Sequence, residues 1–102
     1  MTENELLAEI LRLAELHGLL AYHVYDSRRS SSSGWPDLVL ASTSGIMFVE
    51  LKDATGTLSP DQITYKYTLL AAGQNYAVWR PCDLESGLVE SELRELATDY
   101  AA

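Results

Sequence analysis

Residues 34–52 read GWPDLVLASTSGIMFVELK. The pattern is strand, turn, strand. The apolar run Leu38-Val39-Leu40 starts directly after Asp37, and the run Ile46-Met47-Phe48-Val49 ends on Glu50-Leu51-Lys52. Strand side chains alternate between faces, so Glu50 and Lys52 share one face and Leu51 points to the other. If a turn around Ser42 to Gly45 closes an antiparallel pair, the start of one strand lies beside the end of the next, and Asp37 approaches Glu50. Two carboxylates and an ammonium then meet at one end of an apolar hairpin. Charges there cost solvation free energy unless they are paired or bind a metal. A magnesium-like ion held by one or two carboxylates and several waters meets that need, and so does a salt bridge from Asp37 or Glu50 to Lys52. Spacing alone leaves both open.

The surrounding words narrow the choice. In order they are Tyr22-His23, Asp26-Ser27-Arg28-Arg29-Ser30, Gly34-Trp35-Pro36-Asp37-Leu38, Phe48-Val49-Glu50-Leu51-Lys52, Gly56-Thr57-Leu58-Ser59-Pro60-Asp61-Gln62 and Trp79-Arg80-Pro81. Pro36-Asp37, a short gap and Glu50-Leu51-Lys52 resemble the PD-(D/E)XK nuclease signature, and the ordered set resembles the VRR-NUC domain in its small stand-alone phage and bacterial form. The bare signature arises by chance in many proteins; the ordered set is specific. The resemblance implies that Asp37 and Glu50 hold Mg2+ or Mn2+, joined by the backbone carbonyl of Leu51. It also implies a glutamate from the first helix and a site role for Gln62.

Composition sets the bounds. A chain of 102 residues with 47% hydrophobic content is expected to fold as a single domain over residues 1–102. No apolar run approaches the ~18 residues of a membrane span, and the acidic start Met-Thr-Glu-Asn-Glu is unlike a targeting signal, so a cytoplasmic protein is expected, in a bacterial or phage-infected cell as the resemblance implies. The single Cys82 excludes an internal disulfide and a multi-cysteine zinc site. The net charge of -8 opposes nucleic-acid binding, which ordinarily leaves a basic footprint. Its distribution softens the objection. From Asp83 onward, six acids stand against Arg94 alone, and the acids of a metal site are largely neutralised when it is loaded.

Thr2 to about Gly18 has the periodicity of an amphipathic helix, with Thr2 and Glu5 in capping-box spacing. Glu5 therefore has a structural job. Glu3 lies on the Leu6 and Ile10 side, toward the sheet, and is the candidate metal ligand of this helix, directly or through water; a bland alternative is an acid favoured at a helix N-terminus. Ala21 to Tyr25 predicts a strand in which His23 is either a hydrogen-bonded structural residue or a contact to substrate or metal. In the serine-rich loop that follows, Arg28, Arg29 and Ser30 are candidate phosphate contacts. No Walker spacing is present, so no nucleotide cofactor is expected. Ser59-Pro60-Asp61-Gln62 opens a second helix as N-cap, first-turn proline and capping-box glutamine. Capping and site duty compete for Gln62, and the site role is the one favoured here. Lys66, one turn on, is a candidate DNA contact. Asn75 to Arg80 predicts a fourth strand, with Trp79 in the core and Arg80 as a rim charge or DNA contact. A last helix from about Asp83 to Tyr100 is expected to cover a sheet edge or part of a dimer interface.

The expected fold is thus α/β, restriction-endonuclease-like, with a mixed sheet of about four strands in the order α-β-β-β-α-β-α. The expected function is metal-dependent hydrolysis of DNA phosphodiesters, with Asp37, Glu50, Lys52 and Gln62 as the catalytic set. No sequence-reading motif is present, so recognition by DNA structure is expected over recognition by base sequence; the resemblance implies a four-way (Holliday) junction or a flap as substrate, and a place in DNA repair. Symmetric cutting of a junction by one-site chains predicts a homodimer. The competing readings are a non-catalytic interaction module that kept the fold, and a nuclease of restriction type or directed at RNA.

Overall fold

The computed structural model describes residues 1–24 and 33–98. Arg28, Arg29 and Ser30 lie outside the described residues. The elements are α1 (Glu3–Leu16), β1 (Leu20–His23), β2 (Leu38–Ser42), β3 (Gly45–Leu51), α2 (Pro60–Ala71), β4 (Asn75–Trp79), α3 (Pro81–Glu85) and α4 (Leu88–Ala97). β1, β2 and β3 form an antiparallel meander, β4 pairs parallel to β3, and the strand order is β1-β2-β3-β4. The expected mixed four-stranded sheet is present.

Local chemistry accounts for the element ends. Thr2 and Glu5 exchange the two bonds of a capping box at α1, as do Ser59 and Gln62 at α2. The two helices finish before Gly18 (φ +72°) and Gly73 (φ +80°), in the left-handed region that glycine tolerates. The residues Thr43-Ser44 turn β2 into β3, with Ser42 opposite Gly45.

The pleat separates two unlike faces. On one, Leu38, Leu40, Met47, Val49, Leu51 and Trp79 join Leu6, Ile10, Leu13 and Ala14 of α1 and Val89, Leu93 and Leu96 of α4 in a single buried core. The other face follows from the register as rows across the strands. Leu20, Ala41 and Ile46 make one row; Tyr22, Val39, Phe48 and Tyr76 make the next. Neither row carries a charge. Leu20 is 74% exposed, Tyr22 66% and Ile46 50%. α2 packs chiefly against β4 and buries none of its own residues.

The C-terminal region departs from expectation. One helix from Asp83 onward is replaced by two, α3 and α4, broken at Gly87 (φ +88°). Nor does α4 cover a sheet edge: it lies on the core face beside α1, with Val89, Leu93 and Leu96 buried and Leu88 exposed. Val89, not Leu88, is the residue of the first turn of α4 that packs. Among the described residues, no helix is long and apolar enough to cross a membrane.

Candidate active site

Continuing the β2–β3 register one step beyond Leu38 and Val49 sets Asp37 opposite Glu50. Val24 donates its N–H to the Asp37 carbonyl at 2.9 Å, which extends β1 to the same level. The third row of the open face is therefore a carboxylate pair. Leu51 donates its backbone N–H to Asp37 Oδ2 at 3.0 Å, which fixes one oxygen of that side chain, while the Leu51 side chain itself is in the core.

Glu50 is only 1% exposed. Its Oε1 accepts from Gln62 Nε2 at 3.3 Å, and its Oε2 is buried with no hydrogen-bond partner among the described residues. Burial first, then the adjacent Asp37, pushes its pKa up to about 9. Two ionised carboxylates are both acceptors and cannot bond each other, so the pair needs either a shared proton or a cation. A hard divalent ion is suited to such an oxygen pair, and the orphaned Oε2 is the position it would satisfy. The residues present fit a metal.

Among the described residues, no ion pair within 4.0 Å joins Lys52 to either carboxylate. The salt-bridge alternative is thus not what the hairpin end adopts. Lys52 is half-buried, donates its N–H to the Trp79 carbonyl at 3.1 Å, and acts on Glu50 and Glu3 through its charge alone.

Glu3 stands at the start of α1 with its carboxyl raised by partial burial and by the charge of Asp37. It is in the field of the site without joining the pair, because among the described residues no three His, Cys, Asp or Glu side chains gather closely enough to hold a metal ion. Between α1 and the end of β1, a cleft of about 500 Å³ opens onto the site, lined among others by Glu3, Asn4, His23 and Asp37. His23 is placed on that cleft wall.

Gln62 corrects the expectation that capping and site duty compete. Its Oε1 accepts from the Ser59 N–H at 2.9 Å while its Nε2 donates to Glu50; an amide has an acceptor end and a donor end, so one side chain does both. Lys66 is half-buried one turn on, with Nζ 5.6 Å from the Tyr67 ring centroid. Arg80 holds structure together: its Nη1 donates to the Asp53 carbonyl at 2.7 Å, and its own N–H is held by Asp83 at 2.8 Å. The guanidinium bond anchors the Asp53–Gly56 turn leaving Lys52, in which Asp53 Oδ1 accepts from the N–H groups of Thr55 and Gly56.

Two neighbours of the site have no local signal in the sequence. Tyr76 lies on the carboxylate face, and burial together with the charges of Glu50 and Asp37 pushes its phenol up to about 12. Only the parallel register of β4 reveals it. The other is Asp61, whose carboxylate accepts from the Ser33 hydroxyl.

A solved VRR_NUC domain superposes on 86% of this chain and 96% of its own, with a TM-score of 0.60 and 24% identity. The chain has the fold of a VRR_NUC domain. Archaeoglobus fulgidus Hjc, a Holliday junction resolvase from an archaeal hyperthermophile, aligns over 78% of this chain and 65% of its own, with 24% identity and a TM-score of 0.49, a looser match. No protein-family model matches the sequence, and no curated protein does. Within the VRR_NUC fold, the carboxylate pair sits where the meander ends and the crossover to β4 begins.

Proposed function

We propose that this chain is a divalent-metal-dependent nuclease that hydrolyses DNA phosphodiesters and selects DNA by structure, with four-way junctions and flaps as the preferred substrates. The observation that carries the reading is the buried Glu50 opposite Asp37, with one oxygen unpartnered among the described residues. One Glu50 oxygen is oriented by Gln62 and the other is left for a cation or a proton to satisfy. The VRR_NUC fold supports the same reading.

In this mechanism Asp37, Glu50 and the Leu51 carbonyl would hold Mg2+ or Mn2+, with Glu3 joining directly or through water. When bound, the ion supplies Lewis-acid charge to the attacking water and to the phosphoryl and leaving oxygens. Lys52, on the Glu50 face, hydrogen-bonds the attacking water and offsets charge that builds on the phosphorane. Gln62 keeps Glu50 oriented. Arg28, Arg29, Ser30 and Lys66 contact phosphates, positioning the backbone without reading bases. With a net charge of -8, binding is weak and sensitive to salt.

The working unit in this reading is a homodimer, joined through the open sheet face. A two-fold contact sets each residue against others of the same patch, so unbalanced charge there would meet itself. The rows Leu20-Ala41-Ile46 and Tyr22-Val39-Phe48 are free of charge in a strongly acidic chain, and α2 adds exposed Ile63, Tyr67 and Leu70. Sedimentation of wild type beside Tyr22→Glu tests this: a wild-type dimer and a monomeric variant are expected, and a wild-type monomer on branched DNA overturns it.

The activity is tested by cleavage of labelled four-way junction, flap, duplex, single-stranded and RNA substrates with Mg2+ or Mn2+, beside Asp37→Ala and Lys52→Ala. Branch-selective cutting lost in both variants is expected. Folded wild type silent on every substrate would favour the non-catalytic module.

A further inference from the structure

We infer that Gly34 and Trp35 are positioning residues that lock the first turn of α2 to the sheet and so deliver Gln62 to Glu50. Their effect on cleavage rests on the nuclease reading above; the mechanical coupling does not.

α2 needs an external fixing point, since it buries no residue and rests chiefly on the edge strand β4. The segment leading into Asp37 provides one. Gly34, at φ +87°, runs so close to α2 that a Cβ there would lie 2.6 Å from the Asp61 carbonyl carbon and 2.7 Å from its oxygen. The neighbouring Ser33 hydroxyl donates to the Asp61 carboxylate. Trp35 stands edge-on between Phe48 of β3, at 5.7 Å, and Tyr65 of α2, at 5.6 Å. Asp61 and Tyr65 are four residues apart, on one helix stripe, so the segment grips α2 on both sides of Gln62.

The grip has little slack. The Gln62–Glu50 bond is already 3.3 Å long, toward the far end of the useful range. A side chain at Gly34 can be accommodated only by parting the Gly34 segment from the main chain of α2, which loosens the hold on Gln62. Pro36 is buried directly before Asp37, so the same short segment fixes both the metal-facing carboxylate and the helix that orients its partner.

The test uses Gly34→Ala with Gly73→Ala as its control. Gly73 ends the same helix at φ +80° with nothing among the described residues within 4 Å of a Cβ, so it bears the backbone strain without the contact. Amide exchange at Ser59 and Gln62 in metal-free protein reads the coupling, and Mn2+ affinity by calorimetry reads its effect on the site. We expect Gly34→Ala to speed exchange and weaken Mn2+ binding about tenfold, as loss of a hydrogen bond to a charged group does, with Gly73→Ala like wild type at both. Combined with Gln62→Ala, it should weaken binding no further than either change alone. Additive losses, or equal effects of the two glycine variants, overturn the inference. If Gly34→Ala does not fold, Trp35→Phe takes its place in the same cycle. A protein that shows the exchange coupling yet binds no Mn2+ upholds the clamp and overturns the metal reading instead.

Discussion

The Asp37 carboxylate accepts the backbone N–H of Leu51 at 3.0 Å, so the first acid of the site also closes the end of the β2–β3 ladder. Its charge and its acceptor function are separable. Asp37→Asn retains an acceptor for Leu51 and should melt close to wild type while losing Mn2+ binding and cleavage. Asp37→Ala strands the N–H as well, and should lose a further ~1–3 kcal/mol of stability. Thermal melts beside calorimetry separate the two.

The metal-free protein should become less stable as pH rises. Glu50 titrates at about 9 when folded, against an ordinary glutamate near ~4.3 when unfolded. Its contribution is therefore fully present below the unfolded value and is lost progressively as pH climbs toward 9. Glu50→Gln should flatten that profile, and saturating Mn2+ should reverse it, since the ion favours the ionised form. Melting temperature against pH, with and without Mn2+, is the measurement.

Gln62→Glu separates the two ends of that side chain. A glutamate still caps Ser59, so helix content should hold. It offers Glu50 repulsion in place of a donor, so cleavage should fall by about tenfold or more, as expected when a hydrogen bond to a charged group is lost. Circular dichroism together with cleavage rates checks both halves.

Lys52→Met should lower kcat by ~100-fold or more, the scale of losing a donor aimed at developing charge, without weakening Mn2+ affinity. Removing a cation beside two carboxylates makes the site more attractive to another cation. A parallel loss of metal affinity would mean that Lys52 supports the ligands rather than the chemistry.

The meander and its carboxylate pair are legible in the sequence because their causes are local. Alternation phases Glu50 against Lys52, and a short turn brings Asp37 back to Glu50. The caps at Thr2 and Ser59 are legible for the same reason. What escapes depends on distant contacts. Tyr76 reaches the site only through a parallel pairing, and Gly34 matters because Asp61 of a later helix comes to rest against it. The split between α3 and α4 follows from Gly87 interrupting an otherwise helical pattern, which turns Val89 rather than Leu88 into the core. For Gln62 the sequence offers two roles without showing that the two ends of one amide can fill both at once.

The topology also orders events in time. Asp37 and Glu50 are joined through the tight Thr43-Ser44 turn, whereas Gln62 arrives on the crossover that must span from β3 to β4. Closing a short hairpin costs less chain entropy than closing a crossover. During refolding the two carboxylates are thus expected to confront each other before the amide that orients one of them is in place. A divalent cation present from the start should speed the early phase, making the ion an aid to assembly as well as to chemistry.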